Sequence, residues 1–126
     1  MAQTILVVDD DPVQRRLLES AISRSGMSVV TAPGGQPALD LIGGPRGEQI
    51  ALVLLDLVMP DIDGIDIIRF LAESGSRARV VVTTGFNPAY ARAACGLGIA
   101  NGRLSVTTLL KPVTLAELRA SLVQPS

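Results

Sequence analysis

Three short apolar runs in this chain each break off at a charged residue. Ile5-Leu6-Val7-Val8 stops at Asp9-Asp10-Asp11, Leu52-Val53-Leu54-Leu55 stops at Asp56, and Val106-Thr107-Thr108-Leu109-Leu110 stops at Lys111-Pro112. Apolar runs of this length read as buried strands. The strands of an open parallel sheet share one direction, so the three charged ends would meet at one edge. Ligands bind at that edge, outside the carboxyl ends of the strands. The pattern therefore predicts one pocket holding several carboxylates and an ammonium, the chemistry of a metal ion and a phosphoryl group.

The segments between the runs carry helix signals. Asp11 is placed to cap a helix with Pro12 in its first turn and Gln14 three residues after the cap. Val13, Leu17 and Ala21, with the neighbouring Leu18 and Ile22, form its expected apolar stripe, and Gly26 ends it. A second strand is expected over residues 27–32 and a short helix over 36–42, followed by a glycine-rich loop at 43–47. Asp63 is placed to cap a helix over 64–73 with Ile65, Ile68, Leu71 and Ala72 on its inner face. A fourth strand spans 80–83, and Asn87-Pro88 opens a helix to about Leu97. Thr114 and Glu117 form the capping box of a last helix. Strands alternating with helices imply an α/β fold, with helices on both faces of a doubly wound five-stranded parallel sheet. The flavodoxin-like strand order 2-1-3-4-5 places the first and third strands side by side, so that Asp9, Asp10 and Asp56 converge. One domain over 1–123 is expected, with 124–126 as a tail or the start of a linker.

Composition removes several functions. Of 126 residues, 48% are hydrophobic, too many for a disordered tail. Aromatics are only 2%, which leaves little for base stacking, and the net charge of −1 gives no basic excess for direct nucleic-acid binding. The absence of histidine rules out Ser-His and Cys-His nucleophile pairs and histidine metal sites. The single cysteine, Cys95, has no disulfide partner within the chain. No run approaches the roughly 18 apolar residues of a membrane helix, and the N-terminus lacks the features of a signal peptide. A cytoplasmic protein without membrane contact is expected.

Carboxylates clustered at a strand edge repel one another unless a cation sits between them. Mg²⁺ (or Mn²⁺) suits such a site because it takes oxygen ligands and keeps several waters. Asp10 and Asp56 are the candidate ligands, the backbone carbonyl of Val58 is a third, and Asp9 ligates directly or through water. Capping alone accounts for Asp11. It does not account for Asp56, because no helix starts directly after it. A carboxylate beside the metal can attack phosphorus to form an aspartyl phosphate. Transfer then needs positive charge on the phosphoryl oxygens, which Lys111 can supply as a mobile point charge. Thr84 ends the fourth strand with a hydroxyl to donate, and Gly85 leaves room beside it.

These residues carry a resemblance. Residues 5–12 (Ile-Leu-Val-Val-Asp-Asp-Asp-Pro), Asp56-Leu-Val-Met-Pro60 followed by Asp63-Gly64, Thr84-Gly85 and Lys111-Pro112 occur in order on the expected elements. In this the chain is similar to bacterial two-component response-regulator receiver domains over nearly its full length. The resemblance implies a phosphoacceptor switch rather than an enzyme with a separate substrate. Asp56 would take the phosphoryl group from a histidine of a sensor kinase or phosphotransfer protein, with Asp9 and Asp10 in the metal pocket. Thr84 and Lys111 would sense the phosphoryl group and bias the later loops and helices, so controlling an output domain or downstream protein. Members of that family often dimerise through their later helices, so a homodimer is one expectation.

The chain departs from the family pattern in two places. Thr108 stands where receivers often carry an aromatic residue, so its coupling to Thr84 is absent or rebuilt through Phe86 or Tyr90. The stretch over 96–104 is also longer than usual. Val58 and Phe86 would poorly orient a hydrolytic water, which predicts a long-lived phosphoryl group. Three other readings fit less well. A haloacid-dehalogenase-like phosphatase wants a second Asp where Val58 stands. A degenerate receiver would not retain Asp10, Asp56, Thr84 and Lys111. A flavodoxin-like cofactor domain would carry a phosphate loop after the first strand.

Overall fold

In a computed structural model of the chain, the described residues are 4–45, 47–56, 64–73, 78–84, 105–110, 116, 117 and 120. The order of elements is β1 (Thr4–Val8), α1 (Pro12–Arg24), β2 (Ser28–Ala32), α2 (Gly35–Gly43), a short 3₁₀ turn (Gly47–Gln49), β3 (Ile50–Asp56), α3 (Gly64–Glu73), β4 (Arg79–Thr84) and β5 (Ser105–Leu110). All neighbouring strands are parallel, in the order β2-β1-β3-β4-β5. This is the doubly wound order expected from the sequence, and every expected strand is present.

The continuous apolar runs have a direct physical reason. Side chains alternate between the two faces of a strand, and here both faces are covered. Ile5, Val7, Leu52, Leu54 and Val81 pack with Leu18 and Ile22 of α1 on one face. Leu6, Val8, Val53, Leu55, Val80 and Val82 pack with Ala38 of α2 and with Ile67, Ile68 and Leu71 of α3 on the other. A run without polar interruptions is what two separate cores require of one strand.

α1 begins as its sequence predicts. The Asp11 carboxylate accepts from the amides of Val13 and Gln14, and Pro12 occupies the first turn. Gly26 follows the helix with φ of +86°, a conformation that glycine adopts without steric cost, and its amide donates to the Ser23 carbonyl. The apolar stripe needs correction. Leu18 and Ile22 are buried, but Val13 and Leu17 are 68% and 62% exposed. A helix turns by about 100° per residue, and only a narrow arc of α1 rests on the sheet. That arc runs along Leu18 and Ile22, with Ala21 partly buried against the same core as expected, and leaves Val13 and Leu17 exposed.

The loop expected at 43–47 gives way to the 3₁₀ turn at Gly47. Gly47 passes so close to the end of α2 that a Cβ there would collide with the Ile42 carbonyl. In α3, Ile68 and Leu71 are buried as expected and Ile67 joins them. No helix among the described residues is long and apolar enough to cross a membrane. The Asp63 cap, the helix expected over 87–97, the stretch 96–104 and the tail 124–126 lie outside the described residues.

Candidate functional site

Strand register assembles the site. Val8 pairs with Leu55, and Asp56 pairs with Thr83. Asp9 follows Val8, and its amide donates to the Ala32 carbonyl at 3.2 Å, extending the β1–β2 pairing by one residue. Asp9, Asp56 and Thr83 therefore fall in one row across β1, β3 and β4. Each lies two residues beyond an apolar neighbour that packs on α1, so the row lies on the α1 face of the sheet.

Asp9 and Asp56 are buried, whereas Asp10 is exposed at the mouth. One carboxylate oxygen from each of the three lies within 4.8 Å of the others. The N-terminus of α1 opens two residues later, and the unpaired amides of a helix N-terminus favour nearby negative charge. Two of the carboxylates have lost most of their water, and a divalent cation would stabilise negative charges held this close together. Hard oxygen donors at this spacing fit Mg²⁺ or Mn²⁺.

Thr83 shares the row of Asp9 and Asp56, a placement the sequence does not reveal. It is buried, and its hydroxyl donates to the Leu55 carbonyl at 3.4 Å. The signal for it is the tandem Thr83-Thr84, since only the register decides which of the two shares the Asp56 row. Thr84 ends β4 opposite Leu110, the residue that precedes Lys111. Thr108, at the position where an aromatic was expected to be missing, lies in β5 opposite Val82. Val58, Lys111, Phe86 and Tyr90 lie outside the described residues.

The profile of the response regulator receiver domain matches residues 5–123. The chain belongs to the response-regulator receiver family. Response regulator MprA of Mycolicibacterium vanbaalenii is 38% identical over 120 residues, covering 95% of this receiver and 48% of that protein. The receiver thus spans about half the length of the curated relatives it matches. Among solved structures, a response regulator from Colwellia psychrerythraea matches with a TM-score of 0.78 and 29% identity, covering 97% of this chain and 94% of that one. A response regulator from Burkholderia pseudomallei, solved with a phosphorylated aspartic acid, a calcium ion and citrate, matches with a TM-score of 0.78 and 27% identity. That match covers 95% of this chain and 66% of the other.

Proposed function

We propose that this receiver is a phosphoacceptor switch in which Asp56 takes a phosphoryl group from a phosphohistidine of a sensor kinase or phosphotransfer protein. The observation that carries the reading is the convergence of Asp9, Asp10 and Asp56 within 4.8 Å at the carboxyl edge of the sheet. The phosphorylated aspartic acid and calcium ion of the Burkholderia relative support it.

An oxygen of Asp56 forms a bond to phosphorus as the bond from phosphorus to the donor's imidazole nitrogen breaks. The nitrogen keeps the electron pair. Asp10, Asp56 and the Val58 carbonyl would hold Mg²⁺, with Asp9 as a direct ligand or a partner through water. The ion they would hold would supply Lewis-acid stabilisation of the phosphoryl oxygens. Lys111 contributes a further positive charge, and Thr84 donates its hydroxyl to a phosphoryl oxygen. The domain acts only on its own phosphorylation and on the hydrolysis that reverses it. The new charge of roughly −1.5 to −2 redistributes the later loops and helices between two arrangements and so controls an output domain or partner. A kinase-borne phosphoryl group derives from ATP, so the proposed role places the receiver in the cytoplasm.

A donor protein must bring its histidine to Asp56 and therefore covers the rim of this edge. The exposed Val13 and Leu17, with Pro12 and Arg16, form a shallow apolar depression on that rim. It offers the donor an apolar surface beside the pocket.

Acetyl phosphate tests the chemistry without a partner, its leaving group being acetate. With Mg²⁺ the protein should gain one phosphoryl group by intact-mass spectrometry, and with EDTA it should gain none. An unmodified folded protein in the presence of metal contradicts the reading.

A further inference from the structure

We infer that Arg15 is a positioning residue for the acidic pocket, holding the Asp9–Asp10 peptide so that both carboxylates are set in place for a divalent cation. The inference rests on the metal-site reading above.

Arg15 lies three residues before Leu18 and seven before Ile22, on the line of α1 that meets the sheet. Leu18 and Ile22 on that line are buried, and Arg15 itself is half-buried. A long cation at the end of an apolar contact line needs a partner. Its partner is the main chain of the pocket, for the Arg15 Nη1 donates to the Asp9 carbonyl oxygen at 2.8 Å.

That oxygen belongs to the peptide joining Asp9 to Asp10. The peptide is planar, so fixing its oxygen constrains the direction in which the chain leaves toward Asp10. Asp9 is thereby held at three atoms. Its amide donates to Ala32, its carbonyl accepts from Arg15, and its Oδ1 accepts from the Asp11 amide at 3.0 Å. The Arg15 amide donates to the Asp11 carbonyl at 2.9 Å, which ties both ends of the residue to the same loop.

Helix electrostatics point the same way. A cation near a helix N-terminus sits at the unfavourable end of the dipole, and α1 carries no acidic residue in its first turn. The three carboxylates beside the helix start offset that cost. A residue that breaks a local preference marks a place where another demand prevails. Here the demand is a pocket whose ligands are oriented before the cation arrives.

The test compares wild type, Arg15→Met and Arg15→Lys. Mg²⁺ affinity is measured by calorimetric titration, and amide hydrogen exchange is measured in EDTA. Arg15→Met keeps an apolar stem but removes the donor. It should bind Mg²⁺ on the order of tenfold more weakly, the low end for partners that orient metal ligands. The Asp11 amide should exchange faster, while those of Leu18 and Ile22 stay protected. Arg15→Lys should recover part of the affinity, since an ammonium can reach the same carbonyl with a less rigid geometry. Unchanged Mg²⁺ affinity in Arg15→Met overturns the inference. So does weaker binding accompanied by faster exchange along all of α1, with Lys no better than Met. A wild-type protein that binds no Mg²⁺ overturns the metal-site reading itself, and this inference with it.

Discussion

The Asp11 main-chain amide donates to Oδ1 of Asp9 at 3.0 Å, while the Asp11 carboxylate caps α1 by accepting from Val13 at 2.9 Å. One residue thus joins the start of a helix to a wall of the pocket, through different atoms. The two roles separate on substitution. Asp11→Ala removes the cap and should cost about 1 kcal/mol, a fall in Tm of roughly 3–5 °C for a domain of this size. It keeps the main-chain bond to Asp9, so Mg²⁺ affinity should change only slightly. Asp11→Asn, which can still cap, should lose less stability. Thermal melts and calorimetric titration of the two variants check this.

Adjacent leucines on α1 should respond in opposite ways. Leu18 is 7% exposed and Leu17 is 62% exposed. Leu18→Ala should destabilise by about 3 kcal/mol, as large-to-small changes in a packed core do. Leu17→Ser should stay within about 0.5 kcal/mol of wild type. If the rim of α1 receives the phosphoryl donor, Leu17→Ser should slow transfer from a phosphorylated donor protein and leave the reaction with acetyl phosphate unchanged. Denaturant melts and the two transfer assays together provide the check.

The sheet was legible in the sequence because two-sided burial leaves an unmistakable mark. Ile5 to Val8 and Leu52 to Leu55 carry no polar interruption, since each strand feeds two cores. The Asp9, Asp10 and Asp56 cluster was legible for a related reason, as charges that close an apolar strand gather at one edge in a parallel sheet. The orientation of α1 was not. Val13 and Leu17 form as good an i, i+4 pair as Leu18 and Ile22, and periodicity alone does not say which pair meets the sheet. Thr83 was hidden because residue type at a strand end does not specify register. Arg15 was hidden because its partner is a carbonyl oxygen, which leaves no trace in side-chain patterns.

The acidic pocket, proposed above to hold Mg²⁺, should respond to the ion in stability. Mg²⁺ at 100 times its Kd should stabilise the folded receiver by about 2.7 kcal/mol through mass action, seen as a rise in Tm that EDTA reverses. Without metal the three carboxylates repel one another. Asp10→Asn removes one of those charges. It should therefore raise Tm in EDTA relative to wild type and lose most of the Mg²⁺-dependent rise. Melts of both proteins, with and without Mg²⁺, give the four values required.

The site of modification decides whether Asp56 is the phosphoacceptor. The protein is treated with acetyl phosphate and Mg²⁺, reduced with borohydride, which converts an aspartyl phosphate to homoserine, and mapped by peptide mass spectrometry. A phosphoacceptor at Asp56 gives homoserine at position 56 and nowhere else, and no added phosphoryl group in Asp56→Ala. Reduction at Asp9 or Asp10, or an adduct that persists in a folded Asp56→Ala protein, would contradict it.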